Sequence, residues 1–222
     1  MTEAEWLACE DPQAMLEFLQ GKASDRKLRL FAVSCCRQFV HLSLREESLA
    51  SIEVAERYAD GKADESDLES ALSQADAVLA RTDPPSAADL AALGSCDVVF
   101  PDAFRAAFGT IYFALWIAAT EKRSNSMDRF DADEALAQSH RLRGIFGPLP
   151  FRPTIMDSRW LTGNVVALAD AIYAGRAFDR LPILADAFED AGCTDRDILD
   201  HCRGPGPHVR GCWVVDLVLE KK

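Results

Sequence analysis

Apolar positions recur every three or four residues along most of the chain, and the strict alternation of a half-buried strand is almost absent. The most regular stripe is Leu28, Phe31, Cys35, Phe39 and Leu42, flanked by Ala32, Cys36 and Val40, with Lys27, Ser34, Gln38 and His41 opposite. It predicts a helix over 24–44, capped by Ser24 and turned to a core along one broad face. Ahead of it, Thr2 and Glu5 have capping-box spacing for a short helix carrying Trp6 and Leu7. Asp11 followed by Pro12 starts a second helix, which Gly21 ends. Further helices are expected over 46–60 and 64–81, the latter broken by Asp83-Pro84-Pro85, and a weaker one over 86–93. Pro101 opens the most apolar helix. Phe104, Phe108, Ile111, Leu115 and Ala118 line one of its faces while Tyr112, Phe113, Trp116 and Ile117 cover much of the rest, the pattern of a helix surrounded by protein.

Beyond a polar stretch at 123–129 the helical period resumes over 131–143 and is then interrupted by GIFGPLPFRPTIMD, whose prolines exclude a helix and favour an extended course. Four short helices are expected after it, over 161–174, 178–191, 194–202 and 207–220, separated at Gly175, Gly192 and Gly204-Pro205-Gly206-Pro207. The fold class is therefore all-α, about ten short to medium helices around a central apolar one. The chain reads as a single helical domain, 1–222, whose point of subdivision, into 1–122 and 130–222, is the hinge at 123–129.

Composition narrows the function classes. The 222 residues are 49% hydrophobic and 27% charged, which excludes a disordered or low-complexity chain. A net charge of −12 disfavours nucleic acid as a partner, although the span 22–45 holds six basic residues against one acid. That basic span is expected to pair with acidic helices of the same chain or to be solvated. The longest uncharged run, 106–120, falls short of the roughly 20 residues that cross a bilayer, so no membrane association is expected. The opening MTEAEWLACEDPQ is acidic where a secretory signal is basic, and seven scattered cysteines then read as reduced thiols in a cytoplasmic protein.

Phe151-Arg152-Pro153, Trp160-Leu161, LADAIY at 168–173, FDRLPILADA at 178–187 and HCRGPGPHVRGCWVVDLVL at 201–219 resemble a paralogous family of uncharacterised bacterial proteins, with the motif H-C-R-x-x-G-x-H-V-R-G-C-W. The opening MTEAEWLACEDPQAMLEFLQGKASDRKLRLFAVSCCR is similar to the start of its members, and the resemblance fades between about 80 and 130. No activity is established for the family. The resemblance implies a stand-alone bacterial cytosolic domain and transfers no catalytic residue.

The densest chemistry is Cys193, His201, Cys202, His208 and Cys212. With His208 and Cys212 four apart on one helix face, and His201 and Cys202 ending the preceding helix, three or four of these side chains are placed to meet on a tetrahedral zinc ion. The competing reading makes His208, Cys212, Val215 and Leu219 the buried stripe of the last helix. Cys35, Cys36 and His41 do not make a thiolate and base pair, because five helical residues rotate His41 about 140° from Cys36. Asp186, Glu189 and Asp190, and likewise Glu53, Glu56 and Asp60, read as solvated helix faces, and no nucleotide, zincin or hydrolase motif occurs.

The function expected is that of a protein-binding adaptor or regulatory module without catalytic activity, contacting another protein through Phe151 and Arg152 in the proline-rich segment. The alternative is a metal-dependent enzyme or zinc-stabilised module using Cys202, His208, Cys212 and His201. No catalytic residue and no cofactor is assigned, zinc being the one ligand these residues suit.

Overall fold

The computed structural model describes residues 1–42, 46–79, 94, 97–121 and 131–221. Among these residues there are eleven α-helices and no strand: α1 (Glu3–Ala8), α2 (Pro12–Leu19), α3 (Asp25–Arg37), α4 (Glu46–Ala59), α5 (Glu65–Leu79), α6 (Ala103–Glu121), α7 (Ala132–Phe146), α8 (Gly163–Gly175), α9 (Leu181–Asp190), α10 (Arg196–Arg203) and α11 (Trp213–Val218). The all-α class read from the periodicity is the fold observed. The weak helix at 86–93 and the hinge at 123–129 lie outside the described residues. The chain divides into two compact units, 3–139 and 140–222, the division falling within α7.

The caps expected at Asp11 and Ser24 form, and further caps start later helices. The Asp11 carboxylate accepts from the Gln13 and Ala14 amides, and Ser24 accepts from Lys27. Asp131 accepts from Glu134, Thr162 from Val165, and Asp195 from Asp197 and Ile198. Each satisfies amides that a helix start leaves unpaired.

The first unit reverses two expectations. Every residue of α3 from Lys27 to Cys35 is buried, polar Ser34 included, so this helix and not the apolar α6 is enclosed all round. Its charges are met internally. Arg29, 1% exposed, donates through Nη1 to the carbonyls of Val98 and Phe100 and through Nη2 to that of Pro101, at 2.8–2.9 Å. Arg37 pairs with buried Glu56 at 2.7 Å, and Arg26 with Asp60 at 3.5 Å. Two residues of the basic span thus pair with two of the acids that were expected to be solvated. Helix α6 buries Ala106, Ala107, Thr110, Ile111, Ala114 and Leu115, while Phe104 and Phe108 are half-buried and Tyr112 is exposed. At 19 residues it is long and apolar enough to cross a membrane, longer than the uncharged run suggested, yet it packs on α2 and α3 as a core helix does.

Helix α3 stops at Arg37 and is followed by a single 3-10 turn, Val40–Leu42, instead of running to 44. His41 is exposed there near Glu121, Cys35 is fully buried, and Cys36 donates its S–H to the Gly94 carbonyl at 3.3 Å. No cysteine and imidazole pair forms at this place.

In the second unit, α8, α9, α10 and α11 enclose a core of Val165, Ile172, Leu184, Phe188, Ile198, Trp213 and Val215, with Cys193, Cys202 and Cys212 among them. Of the stretch 144–157 expected to be non-helical, Gly144, Ile145 and Phe146 complete α7; 147–152 is turned, with the Phe151 and Arg152 amides donating to the Pro148 carbonyl, and only 153–157 follows no regular structure. Asp186 and Glu189 are tied to Arg203 at 2.7 Å, which holds Glu189 below the usual carboxylate range.

Candidate metal centre

Helix α10 presents successive residues about 100° apart, so His201 and Cys202 must face different surroundings. Cys202 turns inward, is fully buried, and has its thiol pushed well up by that burial. His201 turns outward and lies against the rings of Trp213, at 5.2 Å between centroids, and His208, at 4.8 Å edge-on.

The chain beyond α10 is not the helix over 207–220 that its apolar residues suggested. The segment 204–212 is irregular, and α11 begins only at Trp213. The reason is local: Gly206 has φ +77° and precedes a proline, and Gly211 has φ +89°. A Cβ at Gly206 would also stand 2.9 Å from the His208 amide nitrogen and 3.2 Å from its ring, so only glycine lets the imidazole fold back against the loop. Arg210 anchors the far side, donating from Nε and Nη2 to the carbonyls of Tyr173 and Ala174 at the end of α8.

His208 and Cys212 therefore meet through a loop and not across one helix turn. The His201 Nε2 and Cys212 Sγ atoms are 3.1 Å apart, and one donates to the other. One ligand atom from each of His201, His208 and Cys212 lies within 4.8 Å of the other two. Tetrahedral zinc with two nitrogens and a sulfur holds its donors about 3.3–3.6 Å apart, so closure needs a shift of roughly 1 Å. Three of the four ligands anticipated from sequence come together, and Cys202 is not among them.

His208 is prepared in a way no sequence pattern discloses. Its Nε2 lies 3.2 Å from the Gly204 carbonyl, to which an N–H can donate, and its buried Nδ1 has no hydrogen-bond partner. Burial lowers its pKa, with the Gly204 carbonyl opposing, which favours the neutral ring. A neutral imidazole that donates one nitrogen to a backbone carbonyl has its other lone pair fixed for a metal.

A cleft of about 210 Å³ adjoins this trio, lined by His140, Arg143 and Gly144 of α7, by His201 and by 204–208. Sequence reading missed His140 and Arg143. The available signal was their spacing with Gly144, which places the three on one helix face. No protein-family model, curated protein or solved structure matches the chain.

Proposed function

We propose that the carboxy-terminal unit binds one zinc ion through His201, His208 and Cys212, with the fourth coordination position open to the cleft, in a cytoplasmic protein. The observation carrying this reading is the convergence of one ligand atom from each of the three residues, and beside it stands the buried Nδ1 of His208, which has no hydrogen-bond partner. Two imidazoles and a thiolate suit zinc, whose closed structural sites take four protein ligands and whose catalytic sites take three and a water. The second unit already has an apolar core on which to fold. A metal here is therefore a reactive centre of a metal-dependent enzyme in preference to a staple. The chemistry supplied would be Lewis acidity at the open position, with His201, His208 and Cys212 as ligands and the tilted Trp213 ring packed against His201. Protein purified without chelator or metal-affinity resin is expected to carry about one equivalent of zinc by elemental analysis, and Cys212→Ser to lose it. Less than a tenth of an equivalent in the unaltered protein refutes the reading.

A second reading, a protein-binding surface at Phe151 and Arg152, is supported by Ile155, which is 80% exposed in the same segment. Arg152 itself forms a 2.6 Å ion pair with Asp197, both side chains nearly half exposed, so a partner would have to share or displace that pair.

A further inference from the structure

We propose that the cleft beside His201 and His208 is a receptor for a small oxyanion of the phosphate or carboxylate class, held by Arg143 next to the metal. This rests on zinc binding by His201, His208 and Cys212.

The side chains that line the cleft are His140, Arg143, His201 and His208, with prolines and glycines completing it and no carboxylate among them. In a chain of net charge −12 the one formally charged side chain on this lining is a cation, Arg143, and a fixed charge of one sign in a recess concentrates ligands of the other. A zinc ion with a single thiolate ligand adds a further net positive charge on the same wall. The volume, about 210 Å³, suits a ligand of a few heavy atoms, below the range of roughly 300–1,000 Å³ typical of drug-sized ligands.

Arg143 reaches this recess because α7 carries Gly144 beside it. A Cβ at Gly144 would lie 3.2 Å from the Pro207 carbonyl oxygen, so a larger residue would press against the loop that forms the opposite wall. A guanidinium offers five N–H donors in a planar fork, enough to keep an internal contact and still hold two oxygens of an anion. An oxyanion held so can place one oxygen at the open coordination position and another on Arg143, a pairing that water cannot match.

The test uses the full chain loaded with cobalt(II), whose ligand-field bands report the fourth ligand and whose thiolate charge-transfer band reports Cys212. Sodium phosphate and sodium acetate are titrated separately, against sodium chloride at matched ionic strength. The expected result is a saturable ligand-field shift with phosphate or acetate and none with chloride, the more effective anion naming the class. Arg143→Gln is expected to weaken the effect about tenfold or more at unchanged cobalt uptake, with Arg143→Lys between it and the unaltered protein. A chain that takes up no cobalt, or takes it up without the thiolate band, removes the metal reading and this proposal together. Normal uptake with the thiolate band, but no anion response, an equal response to chloride, or an equal affinity in Arg143→Gln, overturns the oxyanion proposal and leaves the metal reading standing.

Discussion

Replacing Gly147 by alanine should damage the second unit more than its size suggests. Gly147 follows the last residue of α7 with φ +52°, and a Cβ built there would stand 2.6 Å from Cδ1 and Nε1 of Trp213, itself 2% exposed. The left-handed conformation costs an alanine about 1–2 kcal/mol, and displacing a buried ring adds about 1–3 kcal/mol of overpacking. A loss of about 3 kcal/mol lowers the unfolding midpoint of a chain of this length by roughly 6–12 °C. Trp213 adjoins Cys212 and packs against His201 at a tilt, so metal affinity should fall about tenfold in the same variant. The control is Gly163→Ala, at the start of α8, where a Cβ meets nothing within 4 Å and a small gain is expected. Differential scanning calorimetry of the three proteins decides. A midpoint for Gly147→Ala within 2 °C of the unaltered chain would refute the reasoning, because it would mean that Trp213 gives way at no cost.

Asp97, half-buried against Gly109 of α6, has its carboxyl raised from 3.8 to about 6 by burial, with Arg105 opposing. The folded state then binds more protons than the unfolded one between those values, so stability falls as pH rises from about 4 to about 6. The full linkage, about 3 kcal/mol, reduces to roughly 1 kcal/mol for a partly solvated group. Asp97→Asn should abolish that slope in urea midpoints, and an unchanged slope would exclude Asp97 as its source. Arg29→Met strands three carbonyls and should cost about 3 kcal/mol or more by urea unfolding; a loss under 1 kcal/mol would show that other donors replace the guanidinium. Arg152→Ala removes a solvent-screened pair and should shift stability by under about 1 kcal/mol, so reduced capture of a protein partner from native extract would speak for the binding surface, and a larger loss of stability for a structural role.

How far the sequence disclosed the fold depends on whether the information was local. Helix starts at Asp11 and Ser24 follow from side chains that satisfy amides two or three residues on, and the sequence carries that geometry within a single turn. Which helix is enclosed did not follow from hydropathy. Arg26, Arg29 and Arg37 make α3 look like a surface helix, and their partners, Asp60, the carbonyls of 98–101 and Glu56, are remote in sequence. The Cys/His cluster at 201–212 was legible as a group, but the helical frame assumed for it was not correct. Gly206 and Gly211 take positive φ and turn 204–212 into a loop, and the helical offset between His201 and Cys202 sends one thiol into the core. The cleft was illegible because His140 and Arg143 lie some sixty residues before the loop they face.

Zinc K-edge X-ray absorption on the metal-loaded chain counts the donor types around the ion. Coordination by His201, His208 and Cys212 gives one sulfur at about 2.3 Å, two imidazole nitrogens at about 2.0 Å and one further light atom at the open position. Two or more sulfurs would place Cys202 or another thiol in the site and close it as a structural centre. A shell of light atoms alone would show that Cys212 is no ligand and contradict the arrangement of His201, His208 and Cys212 around a single ion.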